Sequence, residues 1–258
     1  MIQFGIVGAL GRMGQAIARL AAQGKAFHLV ALIEYEKNPR IGETLGDVKI
    51  TALKNTNPPT GGLIDFSHAS SVIESAQYAA ANNLPLVVGT TGFSNEQRAE
   101  LEAYAQKIPL LIASNMSVGV NVLFALVEQA AEALKHNGFD PEVMEIHHNL
   151  KKDSPSGTAV SLQKILQKSY QLSDKEVLFG REGLIGERKP KELGVMALRG
   201  GDVIGDHTVY FLGQGERIEI KHQAVSRETF AQGALAALRY LQGKPRGLYS
   251  MKDVLGLN

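Results

Sequence analysis

The chain has 258 residues, no cysteine, 21% charged residues and a formal net charge of +1. Disulfides, thiolate nucleophiles and cysteine metal sites are excluded, and the balanced charge argues against a nucleic-acid partner, which would select a strongly basic face. The length and the 44% hydrophobic content suffice for one or two globular domains.

The N-terminal stretch "MIQFGIVGALGRMG" carries a short apolar run with no basic flank, and no segment approaches the ~18 apolar residues of a membrane span. A cytoplasmic protein without a membrane partner is expected. Residues 2–8 read as a buried strand. Residues 12–23 follow as a helix, with Ile17, Leu20 and Ala21 at helical spacing. Further strands are predicted at 27–34, 62–67, 85–91 and 108–114, and helices at 70–82 and 95–107, the latter with Asn95 as N-cap. Such alternation implies a parallel sheet covered on both faces.

The pattern changes near residue 117. A long helix is predicted over 120–136, then strands at 142–148, 193–199, 207–213 and 216–222. The last two flank a Gly-Gln-Gly turn and read as an antiparallel hairpin. A helix over 227–243 follows. The expected fold class is α/β: a Rossmann-type dinucleotide-binding domain with a parallel sheet, formed by residues 1–117 and 228–258, and an inserted α+β domain with an open mixed sheet, residues 118–227.

At the first strand-to-helix junction, Gly8, Gly11 and Gly14 form a G-x-x-G-x-x-G variant of the dinucleotide fingerprint. Gly8 permits the tight turn, Gly11 lets amides approach a pyrophosphate, and Gly14 lets the helix pack on the strand. The helix N-terminus and Arg12 add positive charge there. Glu34 stands at the end of the second strand, twenty positions beyond Gly14, where a carboxylate accepts hydrogen bonds from ribose hydroxyls and repels a 2′-phosphate. NADH is therefore favoured, while Arg12, Lys37 and Arg40 keep NADPH open. Two further stretches end strands, where open α/β sheets bind ligands: Gly89, Thr90 and Thr91, and Ala113 to Ser117.

The stretch "EIHHNLKKDSPSGTA" (145–159) holds the strongest chemistry. Ser154 and Pro155 fit an N-cap and a first helical position. The amides of Ser156, Gly157 and Thr158 then form an anion seat, with Lys151 as a nearby cation. His147 and His148 point to opposite faces of the strand end, so one supplies proton transfer while the other binds or supports. A metal site is not expected, because the helical His-Glu-x-x-His pattern is absent and adjacent strand histidines converge poorly on one ion.

These residues, with "VGTTGF", "SNMSVGVN", "GERKP" and "GDVIGDHTVYF", resemble the dihydrodipicolinate (4-hydroxy-tetrahydrodipicolinate) reductase family of lysine and diaminopimelate biosynthesis, in order and over nearly the whole chain. The resemblance implies an NAD(P)H-dependent reduction of a cyclic hydroxy-imine dicarboxylate with loss of water, in a homotetramer whose central domain binds substrate and tetramerises. It assigns proton transfer to His147 and the catalytic lysine to Lys151. It assigns substrate binding to His148, Gly157 and Thr158. Cofactor binding falls on Gly8, Ala9, Leu10, Gly11, Arg12, Met13, Glu34, Gly89, Thr90, Thr91, Ala113, Ser114, Asn115 and Met116. Three positions depart from some relatives. Tyr35 stands where an arginine would meet a 2′-phosphate, Asn149 and Leu150 replace basic residues, and Met116 replaces an aromatic. The absence of cysteine removes an aspartate-semialdehyde dehydrogenase type. A non-catalytic NADH sensor would not need the 145–159 stretch.

Overall fold

Alternating Val, Ile and Leu residues bury both faces of a parallel sheet in the first half of the chain. In a computed structural model describing residues 1–257, two units are resolved: Met1–Val118 with Arg227–Asn258, and Gly119–Ser226. The first unit runs β1 (Ile2–Val7), α1 (Arg12–Ala22), β2 (Phe27–Glu34), β3 (Thr44–Leu45), β4 (Val48–Ala52), β5 (Leu63–Asp65), α2 (Val72–Ala81), β6 (Leu86–Val88), α3 (Asn95–Ala103) and β7 (Pro109–Ile112). The chain then enters α4 (Val118–Leu134) and the second unit. That unit holds β8 (Asp140–His147), α5 (Gly157–Tyr170), β9 (Val177–Leu178), β10 (Leu193–Arg199), β11 (Gly205–Leu212) and β12 (Arg217–Ala224). It returns through α6 (Glu228–Leu241), β13 (Gly247–Tyr249) and α7 (Met251–Leu255).

The first unit's sheet has the order β13-β7-β6-β5-β1-β2-β4-β3 and is parallel except for the β3–β4 pair. Side chains alternate between two cores. Phe4, Ile6, Leu32, Ile64, Val87 and Leu111 face α1 and α6, while Ala31, Ile33, Leu63, Leu86, Val88 and Leu110 face α2 and α3. The second unit has a mixed sheet, β12-β11-β8-β10-β9. Val143, Val195, Val209 and Phe211 pack under α4 and α5. Leu198 and Leu212 alternate onto the other face and are exposed. No helix among the described residues is long and apolar enough to cross a membrane.

The predicted fold class is observed, with local corrections. The cap of α3 is Ser94 rather than Asn95: its hydroxyl accepts from the Gln97 amide, and the Gln97 side chain accepts from the Ser94 amide at 2.9 Å. The helix predicted to 107 ends at Ala103, followed by one 3₁₀ turn over Tyr104–Gln106. The strands β3, β4, β9 and β13 were not expected. Most are two or three residues long, too short to show a period. The β3–β4 hairpin turns at Gly46, with φ +60°.

α6 packs through Gly233 on the segment between β7 and α4, where an added Cβ would stand 1.7 Å from the Met116 carbonyl oxygen. Gly233→Ala should destabilise the protein by about 2 kcal/mol or more, as overpacking against backbone does. Gly24→Ala, where nothing lies within 4 Å, is the control. Equal urea midpoints for the two variants would refute this account of the α6 packing.

Candidate active site

The glycine turn of the first unit is built by close approach. Gly8 has φ +77°, and a Cβ there would lie 2.5 Å from the Phe66 carbonyl oxygen. A Cβ on Gly14 would lie 2.4 Å from the Gly8 carbonyl oxygen. Gly11 is the N-cap of α1, and no side chain among the described residues caps it. The first turn of α1 thus carries no side-chain cap, and exposed Arg12 stands beside it. Ala9 is buried, while Leu10 and Met13 are half-buried. The Leu10 amide donates to Glu34 Oε1 at 2.7 Å, so one carboxylate oxygen fixes the turn. Asn38 Nδ2 lies 3.4 Å from the other oxygen. A turn at positive φ, an uncapped helix N-terminus and an acid at the end of β2 fit a dinucleotide.

The other expected cofactor residues lie at neighbouring strand ends of the same sheet. Thr90 is buried, and its hydroxyl donates to Asp65 Oδ1 at 2.6 Å. That hydroxyl ties two strand ends together, and Thr91 is exposed. Gly89 is required by Phe66, whose ring would meet an added Cβ at 2.2 Å. The Ala113 amide donates to the Val88 carbonyl, and Asn115 Oδ1 accepts from the Ser117 amide at 2.9 Å. Ser114 is exposed, whereas the Met116 side chain belongs to the core under α6.

In the second unit, β8 alternates buried and half-buried residues, and Glu145 and His147 share its buried side. His147 Nδ1 contacts Glu145 Oε2. Glu145 Oε1 accepts from Arg199 at 2.9 Å and from the Ser156 amide at 3.0 Å. Burial alone would raise the Glu145 pKa, yet His147, Arg199 and the Ser156 amide bring it down from 4.5 to about 2. The His147 and His207 rings meet edge to face, with centroids 5.1 Å apart. Burial, then the neighbouring His147, pushes His207 down to about 3, so it is a neutral imidazole; its Nε2 lies 3.0 Å from the Ser156 hydroxyl.

The helix expected to be capped by Ser154 starts later. Ser156 is the N-cap of α5, its hydroxyl accepting from the Ala159 amide at 3.2 Å, and Ser154–Pro155 is a cis bond before it. The Ser156 amide goes to Glu145, so Ser156 frames the turn, and Gly157 and Thr158 hold its first helical positions. Lys151 Nζ pairs with Asp153 Oδ1 at 3.0 Å, and the Asp153 carbonyl accepts from Arg199 at 2.8 Å. Lys151 is thereby linked to the Glu145 cluster, while Lys152 is exposed. His148 follows the strand, its amide donating to the Val203 carbonyl at 2.7 Å. Asn149 and Leu150 are exposed.

Reading the sequence missed Glu145, Arg199, Gly205 and His207 as parts of this cluster. Glu145 carried one signal, its position two residues before His147 on a strand. Glu145, His147 and His207 place one potential ligand atom each within 4.8 Å. A cation there would sit beside the Arg199 guanidinium, which already balances the carboxylate.

Residues 2–116 match the family model "Dihydrodipicolinate reductase, N-terminus", and residues 119–255 match "Dihydrodipicolinate reductase, C-terminus". A 4-hydroxy-tetrahydrodipicolinate reductase of Aquifex aeolicus is 46% identical, with 98% of each chain covered. One from Syntrophotalea carbinolica is 42% identical over the full length of both. Among solved structures, a dipicolinate-bound dihydrodipicolinate reductase from Paenisporosarcina sp. TG-14 shares the fold, with a TM-score of 0.78, 22% identity and 98% coverage of each chain.

The Glu145 shift carries a sign. Its carboxyl is held below its ordinary 4.5, so its contribution to stability is full above that value and is lost as pH falls toward about 2. Glu145→Gln should therefore flatten the fall of the urea midpoint over this acid window, by up to about one bound proton in slope. Parallel wild-type and variant curves would refute the account.

Proposed function

The chain belongs to the dihydrodipicolinate reductase family, and from that premise we propose how its residues carry out the family's reaction. It reduces 4-hydroxy-tetrahydrodipicolinate to tetrahydrodipicolinate with loss of water, in diaminopimelate and lysine biosynthesis. A bound reduced nicotinamide dinucleotide supplies the hydride. The first unit holds that cofactor: the Gly8–Met13 turn and the start of α1 take the pyrophosphate, Glu34 the adenosine ribose, and the Gly89–Thr91 and Ala113–Met116 strand ends the nicotinamide half.

The second unit binds the dicarboxylate. The observation that carries this reading is the folding of residues 145–159 into a strand end, a loop and a capped helix start, with a buried histidine–carboxylate pair beside the first-turn amides of α5. Gly157 and Thr158, with His148, take a substrate carboxylate. Loss of water leaves a ring carbon conjugated to the imine. The hydride adds there, and the His147/Lys151 pair delivers the one proton that the resulting enamine takes up, directly or through water. NADH is preferred over NADPH. Glu34 repels a 2′-phosphate, Tyr35 supplies no counter-charge, and Arg40 is already paired with Glu43 at 2.7 Å. The assembly is a homotetramer, a reading supported by the uncovered face of the mixed sheet, where Leu198 and Leu212 are exposed.

The test is oxidation of NADH and NADPH, in parallel, with freshly generated substrate. Lys151→Ala should lower kcat by about 10²-fold or more, with Lys152→Ala close to wild type. His147→Gln should lower kcat strongly and leave NADH affinity nearly intact. Equal small effects of the two lysines, loss of NADH binding in His147→Gln, or a higher kcat/KM with NADPH would each remove the corresponding part of the reading. Light scattering should return the mass of four chains, and a monomer or dimer would sink the tetramer.

A further inference from the structure

We propose that Glu145 is the positioning residue of this reaction. Its carboxylate holds His147 by Nδ1 and reserves Nε2 for proton exchange. Through Ser156 it also fixes, in the same register, the helix start that receives the substrate's carboxylate. The inference rests on the reading of His147 as the proton-exchanging group.

Glu145 has no exposed surface, and β8 presents it on the same side as His147. Its two oxygens have separate partners. Oε1 accepts from Arg199 and the Ser156 amide. Oε2 faces His147 Nδ1, and neither of those two atoms has a hydrogen-bond partner elsewhere among the described residues. An anion against Nδ1 requires an N–H there. The imidazole is then held in one tautomer, with Nε2 left to give or take the proton.

The ring's placement is also specified on its far side. Nε2 lies over Gly205, where an added Cβ would stand 2.9 Å from it and 3.5 Å from His207 Cε1. Glycine leaves the backbone of β11 open to the imidazole. The charged and titratable groups gathered round His147 are Glu145 on its own strand, Arg199 from β10, His207 from β11, and Lys151 and Asp153 from the loop before α5. Arg199 is the cation that matches the carboxylate, which favours a proton rather than a metal ion between Glu145 and His147.

Glu145→Gln separates these functions. The amide oxygen can still accept from Arg199 and Ser156, but its N–H would face His147. Nδ1 must then accept, and the proton moves to Nε2. The expected result is a fall in kcat of about 10- to 100-fold with KM within about threefold, since the substrate seat is kept. Imidazole ¹⁵N–¹H correlation spectra of labelled enzyme should show His147 changing to the Nε2–H tautomer. Gly205→Ala crowds the ring without touching the carboxylate and should also lower kcat, which keeps the test decisive if Glu145→Gln fails to fold. The proposal is overturned if either folded variant keeps kcat within about twofold while His147→Gln is inactive, or if the His147 spectrum is unchanged in Glu145→Gln. Full activity in His147→Gln would overturn it together with the reading beneath it. Activity lost on dialysis against a chelator and restored by Zn²⁺ would overturn it in favour of a metal.

Discussion

A carboxylate without access to water is the constraint on which the candidate active site depends. Burying an ionised Glu145 unpaired would cost several kcal/mol, and burying it protonated would leave a donor facing Arg199. The chain meets this with a guanidinium, a backbone amide and an imidazole, each from a different place in the second unit. β10 lies parallel to β8 with Arg199 beside His147, and β11 lies antiparallel with Asp206 beside Ile146. These registers bring Arg199 and Gly205 to the strand end where Glu145 and His147 stand. A slip of one residue in the β8–β10 pairing would turn Arg199 to the opposite face and leave the carboxylate without its cation, and a slip in the β8–β11 pairing would turn His207 away from His147 and Ser156. Burying the acid therefore specifies strand register as well as chemistry.

The first unit solves a related problem at its own strand ends. Asp65 is fully buried at the end of β5, and one of its oxygens accepts from the Ser67 amide, the Ser67 hydroxyl and the Thr90 hydroxyl. Phe66, the next residue, has its backbone against Gly8 and its ring against Gly89. Three adjacent strand ends are thus locked by one acid and one aromatic, and two of the glycines at expected cofactor positions, Gly8 and Gly89, are also demanded by Phe66. Packing and ligand access select glycine at the same positions, which is why a glycine motif alone is a weak sign of function.

Much of this was legible because its signals are local. Strand–helix alternation, the glycine turn followed by Glu34 and the His-His…Lys…Ser-Gly-Thr string each lie within a few dozen residues, and each was placed on the right kind of element. The misplacements have local causes too. Ser94 and Asn95 are both competent caps, and the geometry chooses the one whose hydroxyl reaches the third amide. Pro155 suggested a first helical position, but Ser156 follows it and caps better. Arg199 and His207 were invisible for another reason. They lie 54 and 51 residues from their partners Glu145 and Ser156, and nothing in the sequence announces which strand will lie beside which.

Two glutamates show how burial divides the work of one side chain. Glu34 is half-buried at the end of β2, with one oxygen held by the Leu10 amide and the other turned toward Asn38. Its charge is oriented by the backbone and remains within reach of solvent, as the proposed discrimination between a hydroxyl and a phosphate requires. Glu145 has both oxygens engaged inside the fold. It has no means of selecting a ligand directly, and every influence it exerts on the reaction must pass through the groups it touches. The solvent-accessible carboxylate suits recognition and the enclosed one suits alignment, because a charge enclosed by fixed dipoles loses its freedom to adapt to a partner and gains control over the geometry of its neighbours.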